Sequence, residues 1–156
     1  MAADWVNAGE RRWKQEEPTW GIWAVPESNI AMLPNDMRNL HAIELGCGTG
    51  HVSGWMARRD ATVTGINNFD AQLTVARHLM RENNTDLELL HGNAETVPKP
   101  DTSYDFAISE YGAAIWCDPM VWLPEAARLL KPGSKLRFLG HYPMAIACWG
   151  NGGADP

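Results

Sequence analysis

At 156 residues the chain fits one domain large enough to bury a core. Its formal charge of −6 gives no general attraction to phosphate backbones or anionic membranes, so neither nucleic acid nor a membrane is expected as partner. Three scattered cysteines, Cys47, Cys117 and Cys148, form no CxxC pair and no metal-ligand spacing, so no metal is expected and reduced thiols point to a cytoplasmic setting.

The charged N-terminus lacks the apolar centre of a signal peptide, and no stretch reaches the ~18 uninterrupted apolar residues of a membrane span. Trp5, Ala8 and Trp13 recur at helical spacing, which predicts an amphipathic helix over residues 3–16, closed by Pro18. The segment TWGIWAVPES is aromatic and irregular. Pro26, Glu27 and Ser28 open a short expected helix that Pro34 stops. Trp20 and Trp23 either close as a lid over a ligand or simply pack on the domain. An apolar run at 40–45 predicts the first strand, followed by a helix over 51–59 and a second strand over 61–66. Asp70 is the expected N-cap of a helix carrying Leu73, Ala76 and Met80. Strands are expected at 87–90 and 104–109, then a helix from Pro119 closed by Lys131, Pro132 and Gly133, and a fifth strand at 136–139.

Strands alternating with helices predict an α/β, Rossmann-like doubly wound parallel sheet with helices on both faces. Such sheets bind ligands at the carboxyl ends of their strands. The stretch AIELGCGTG at 42–50 lies there, a buried strand that runs into a turn with Gly46, Gly48 and Gly50 at every second position. Glycine admits positive φ and lets a ligand approach the backbone closely. A dinucleotide fingerprint GxGxxG starting at Gly46 requires glycine where this chain has His51, which disfavours a nicotinamide cofactor and leaves His51 to pack or cap. Glu44 just before the turn repels a pyrophosphate but suits a cationic or amino-bearing ligand.

ELGCGTG, with TGINN after strand two, HGNAETVP after strand three, YDFAISEYG on strand four and LLKPGSKL before strand five, resembles the class I S-adenosylmethionine-dependent methyltransferases. The likeness covers roughly residues 20–140 and is nearest the branch that methylates small molecules. The resemblance implies S-adenosylmethionine as cofactor, a small-molecule acceptor and strand order 3-2-1-4-5. It also implies cofactor contacts from Glu44, Gly46, Cys47, Gly48 and Gly50 at the amino-acid end, from Asn67 and Asn68 at the ribose, and from Asn93 and Ala94 at the adenine. Asn67 and Asn93 stand where the family pattern has carboxylates. A hydrogen bond to a charged acceptor is worth ~1.5 to 3 kcal/mol and one to a neutral acceptor ~0.5 to 1.5, so weakened cofactor binding is expected.

Methyl transfer needs an acceptor lone pair aligned behind the methyl group, and holding that alignment supplies most of the acceleration. Glu110, after strand four, is a candidate general base or a contact for the cofactor amino group, against a plain loop carboxylate. His141, after strand five, is a second candidate base, against a structural role. Tyr111 and Trp116 offer an aromatic wall for the acceptor, with Trp20 and Trp23 as the lid alternative. The organisation expected is a Trp-rich helical segment over 1–36, a cofactor-binding domain over 37–141 and a flexible tail over 142–156. The family's sheet has seven strands, and 16 residues after Gly140 cannot make two more, so the chain reads as a cofactor-binding core that lacks the last two. Strand five is then an apolar edge, expected to pair with a second copy or to be covered by the tail. The alternative function is a non-catalytic binding domain that retains the fold.

Overall fold

The computed structural model describes residues 2–142, with side chains from Trp5 onward. Helix α1 (Ala2–Trp13) leads into a short hairpin of β1 (Thr19–Trp20) and β2 (Val25–Pro26), then α2 (Glu27–Ile30). The main sheet follows as β3 (His41–Leu45), α3 (His51–Ala57), β4 (Thr62–Asn67), α4 (Asp70–Glu82), β5 (Glu88–His91) and β6 (Tyr104–Glu110). Helices α5 (Ala113–Trp116) and α6 (Pro119–Leu129) precede β7 (Leu130–Leu139). All five strands of the main sheet run parallel in the order β5-β4-β3-β6-β7. Counted within the sheet alone this is 3-2-1-4-5, the order that the family likeness implies, and the parallel sense is what the alternating pattern predicts.

Period-two alternation along the central strands divides the core into two layers. Ala42, Val63, Phe106 and Ile108 face the layer built by Trp13, by Val52 and Trp55 of α3 and by Leu79 of α4. Ile43, Leu45, Ile66 and Ala107 face the layer built by Ala113 of α5 and by Trp122, Ala126 and Leu129 of α6. Central strands covered on both faces need apolar residues at both parities, which is why AIEL and FAIS read as nearly continuous apolar runs.

Two local expectations are corrected by tertiary structure. Asp70 is the first helical residue of α4 and not its cap; Phe69 occupies the cap position without a side-chain bond. The KPG signal does not close α6, which ends at Leu129; Leu130 already pairs with Tyr104, and Gly133 at φ +83° sits within an irregularity of β7. The hairpin and α5 carried no periodic signal, being two and four residues long. β7 is the outermost strand, and Phe138 on it is 52% exposed while its ring meets Trp122 edge-on at 5.5 Å. The tail expected to be flexible or to cover this edge lies outside the described residues.

Trp13 ties α1 to the sheet layer. It is fully buried, its indole N–H donates to the Thr49 carbonyl at 2.8 Å, and its ring fills the space beside Gly54, where a Cβ would stand 2.7 Å from the ring. Trp13→Ala is expected to lower unfolding stability by about 3 to 5 kcal/mol, read as a lower urea midpoint with little change in slope.

Candidate functional site

The carboxyl ends of β3, β4 and β6 converge under α1 on an open cavity of about 800 Å³. Its floor is a crossing of two backbone turns. Gly46 has φ +82°, and a Cβ there would stand 2.6 Å from both the Ala113 nitrogen and the Gly112 Cα. Glycine at 46 and 112 is therefore demanded by the chain itself. Gly48, at φ +53°, differs: its missing Cβ would meet only Gln72 Oε1 at 3.8 Å, so its open side faces the cavity. The Cys47 side chain turns into the core against Gly65, leaving its backbone to the cavity wall.

Glu44 closes the turn from below. Its Oε2 accepts from the Ser53 backbone N–H at 2.8 Å and from the Ser53 hydroxyl at 2.5 Å, so a strand carboxylate caps the first turn of α3. Burial pushes its carboxyl up to about 8, the Ser53 bonds opposing and the nearby Glu110 charge adding to the rise.

Glu110, at the end of β6, is also buried and fully engaged. Arg12 Nη1 donates to its two oxygens at 3.2 and 3.3 Å, the Gly21 backbone N–H donates to Oε1 at 3.3 Å, and His51 Nε2 lies 3.5 Å from Oε2. Burial raises the Glu110 carboxyl, but His51 and Arg12 outweigh it and hold it below the ordinary range. Burial lowers His51, against the pull of Glu110. Its Nε2 also lies 3.0 Å from Arg12 Nη1, and its Nδ1 is a buried atom with no partner among the described residues. Glu110 thus pins α1 and the hairpin to the end of β6, and a carboxylate so held is a poor proton acceptor.

At the end of β4, Asn67 and Asn68 both line the cavity. Asn93 and Ala94 line a smaller crevice of about 40 Å³ beside it, walled by Ile66, Ala113 and Cys117 and sharing Gly46, Asn67 and Gly112 with the main cavity. Gly50 caps α3 at φ +76° and is not among the lining residues. Tyr111, at φ +49°, and Trp116, 82% exposed, stand at the cavity wall. A bulky residue with positive φ is strained, and here it turns the chain so that Gly112 can cross Gly46. His141 lies against Tyr111 with ring centroids 5.1 Å apart. The Trp pair is split. Trp20 is 1% exposed, meets Trp55 edge-on at 5.6 Å and donates to Glu27 at 2.7 Å, whereas Trp23 is 83% exposed in the hairpin turn. Neither lines the cavity. Sequence reasoning missed Trp5, Ala8, Arg12, Phe69 and Gln72, which do. Trp5 and Arg12 lay on the predicted amphipathic helix, but nothing local said that its polar edge would cross the glycine turn.

Residues 43–138 match the family model described as a methyltransferase domain. The chain belongs to the class I S-adenosylmethionine-dependent methyltransferases. It is 34% identical over 116 residues to a demethylmenaquinone methyltransferase of Listeria welshimeri, an alignment covering 72% of this chain and 49% of that protein. The crystal structure of an arsenic(III) S-adenosylmethionine methyltransferase from Chlamydomonas reinhardtii matches with TM-score 0.62 at 26% identity, over 68% of this chain and 40% of that one. A protein of Methanococcus maripaludis shares the fold with TM-score 0.73 at 19% identity, over 90% of this chain and 63% of that one. The chain spans about half the length of the Listeria relative. Among the described residues no helix is long and apolar enough to cross a membrane, and no group of three or more His, Cys, Asp and Glu is placed to hold a metal.

The methyltransferase cofactor, a nucleoside joined to an amino acid through a sulfonium, suits this cavity. The bare side of Gly48 leaves room for close approach, and the narrow crevice walled by Ile66, Ala94 and Ala113 offers apolar surface to a flat base.

Glu44 makes the site sensitive to pH. Its folded-state value of about 8 lies above the ordinary 4.5, so the folded form holds an extra proton between them. That contribution to stability is fully present below about pH 4.5 and is lost as pH rises through about 8. Stability should fall by up to about 1.4 kcal/mol per pH unit in this window. Glu44→Gln, which keeps the Ser53 bonds, should flatten the dependence in urea titrations run from pH 5 to 8.5.

Proposed function

We propose that this chain binds S-adenosylmethionine in the cleft at the ends of β3, β4 and β6 and acts in methyl transfer to a small-molecule acceptor. The observation that carries this reading is the convergence of the glycine turn, the β4 amides and the Asn93–Ala94 crevice on one connected cavity. The bound cofactor supplies an electrophilic methyl group on sulfur. The chain supplies placement. The turn at Gly46, Cys47 and Gly48 presents backbone to the amino-acid end, with Gly50 setting the start of α3. Asn67 and Asn68 face the ribose, and Asn93 and Ala94 edge the base.

Trp5, Tyr111 and Trp116 give the acceptor aromatic surface to lie against, and α1 helps to keep water from the reacting atoms. An acceptor held in line behind the methyl group needs no dedicated nucleophile. His141, packed on Tyr111, is the remaining candidate for a catalytic base. Two of the similar proteins are named for methylation of small molecules, demethylmenaquinone and arsenic(III). A non-catalytic binding domain is the second reading, favoured by the complete engagement of Glu110. The outer edge of β7, with Phe138 half exposed, is where a second copy would pair, and size-exclusion chromatography with light scattering reads this directly.

Thermal unfolding with S-adenosylhomocysteine, S-adenosylmethionine and NAD tests the cofactor reading. The first two should raise the midpoint, by up to about 2.7 kcal/mol of stabilisation at a hundredfold excess over Kd, while NAD should not. Equal shifts by all three, or none by the first two, would remove the basis for the proposal. Binding without any methyl loss across an acceptor panel would favour the non-catalytic reading.

A further inference from the structure

Helix α1 meets the rest of the chain along two neighbouring stripes. Gly9 and Trp13, one turn apart, grip the glycine turn and α3: a Cβ at Gly9 would stand 2.7 Å from Thr49 Oγ1, and the Trp13 ring lies 3.6 Å from where a Cβ on Gly50 would stand. Trp5, Ala8 and Arg12 form the other stripe and line the cleft. The Trp5 ring meets Phe69 edge-on at 6.2 Å, and Arg12 Nη1 reaches His51 Nε2 at 3.0 Å and the two Glu110 oxygens at 3.2 and 3.3 Å. Three elements thus face the His51 ring. Arg12 comes from α1, Glu110 from β6 with Oε2 at 3.5 Å, and the Trp55 ring from its own helix, edge-on at 5.0 Å. Glu44 of β3, the other carboxyl at this floor, holds its proton up to about 8 and adds no charge to offset a charged ring.

We propose that Arg12, Glu110 and His51 form a proton-operated latch, which holds α1 across the cleft while His51 is neutral and lets the cleft face of α1 lift when His51 is protonated. The latch governs access to the cleft and does not depend on which ligand occupies it. A guanidinium N–H only donates, so Arg12 bonds to Nε2 only while that nitrogen carries no proton. The three groups then sum to zero charge. Protonation puts a hydrogen on both ring nitrogens, sets two donors against each other at 3.0 Å and leaves two cations to one carboxylate. Arg12 is the member that yields. Its side chain is 29% exposed, against 14% for His51 and 5% for Glu110, and it comes from the N-terminal helix, whereas the other two stand on the sheet and on α3. Freed of that tie, a helix of 12 residues is marginal by itself, so its first turns lift from Phe69 and Thr49 while Trp13 stays as the pivot. Burial lowers His51 from its ordinary 6.5, so the open form takes the proton first and the latch lets go on the acid side of that value.

Hydrogen exchange followed by mass spectrometry from about pH 5 to 8, corrected for intrinsic exchange rates, reads the latch as the protection of the amides over 6–13. In the wild type this protection should fall below pH 6.5, by up to about tenfold per pH unit for one proton taken up, while the amides of β3 and β4 keep theirs. The Glu44 dependence runs the other way, toward higher stability in acid, so a loosening of α1 there is not general weakening. His51→Gln has nothing to titrate and should hold its protection level across the range. Glu110→Gln should leave α1 weakly protected at every pH, and Arg12→Met, which removes the donor, gives the same reading from the surface side if the sheet amides of Glu110→Gln are disturbed. Protection of α1 that is flat with pH in the wild type, an acid-side loss that persists in His51→Gln, or wild-type protection in both Glu110→Gln and Arg12→Met would each overturn the latch.

Discussion

The fold around the cleft depends on one close approach, the crossing of the turn after β3 over the turn after β6. With Gly46 and Gly112 in contact there is no room for a Cβ at either position, and any side chain would drive the two central strand ends apart. Several features follow from that geometry. Tyr111 takes a positive φ to bring Gly112 under Gly46, and Ser109 anchors the same corner, its hydroxyl donating to the Leu45 carbonyl at 2.8 Å and accepting from the Ala114 N–H at 3.1 Å. The cleft is open above because the backbone below is packed to its limit.

A second constraint is electrostatic. Two carboxylates, Glu44 and Glu110, are buried beside each other at the floor of the cleft, an arrangement that costs several kcal/mol per ion unless it is compensated. The two are relieved in different ways. Burial favours the protonated form of Glu44 against the two Ser53 bonds, whereas Glu110 keeps its charge by drawing in Arg12, the Gly21 N–H and His51. The second solution needs an arginine from α1, so the N-terminal helix is joined to the site by the requirement to neutralise a strand-end carboxylate as well as by the burial of Trp13. A carboxylate that holds a helix in place is a different thing from a base waiting for a proton, although both read as a glutamate at the end of a strand.

Much of this was legible in the residue order. The first four strands of the sheet, the glycine turn and the helices flanking it rest on periodicities and turn residues that act over neighbouring positions, and they stand within a residue or two of expectation, whereas β7 begins six residues before the expected 136. The partners of individual side chains were not legible in the same way. Trp20 and Trp23 are three apart and equally aromatic, yet Glu27 and Trp55 bury the first and the hairpin turn exposes the second. Gln72 looked like an ordinary polar position of an amphipathic helix until the start of α4 set it against Asn67.

The sequence by itself determined the family, the parallel sheet and the sheet edge at which the glycine turn lies, because apolar period, glycine spacing and the order of motifs are properties of consecutive residues. Only the tertiary structure decided what the charged and amide groups at that place do. Arg12 and Glu110 are 98 positions apart, and no local rule relates them. They meet because the topology carries the N-terminal helix across the ends of the central strands, and a buried carboxylate there must find donors wherever the fold brings them.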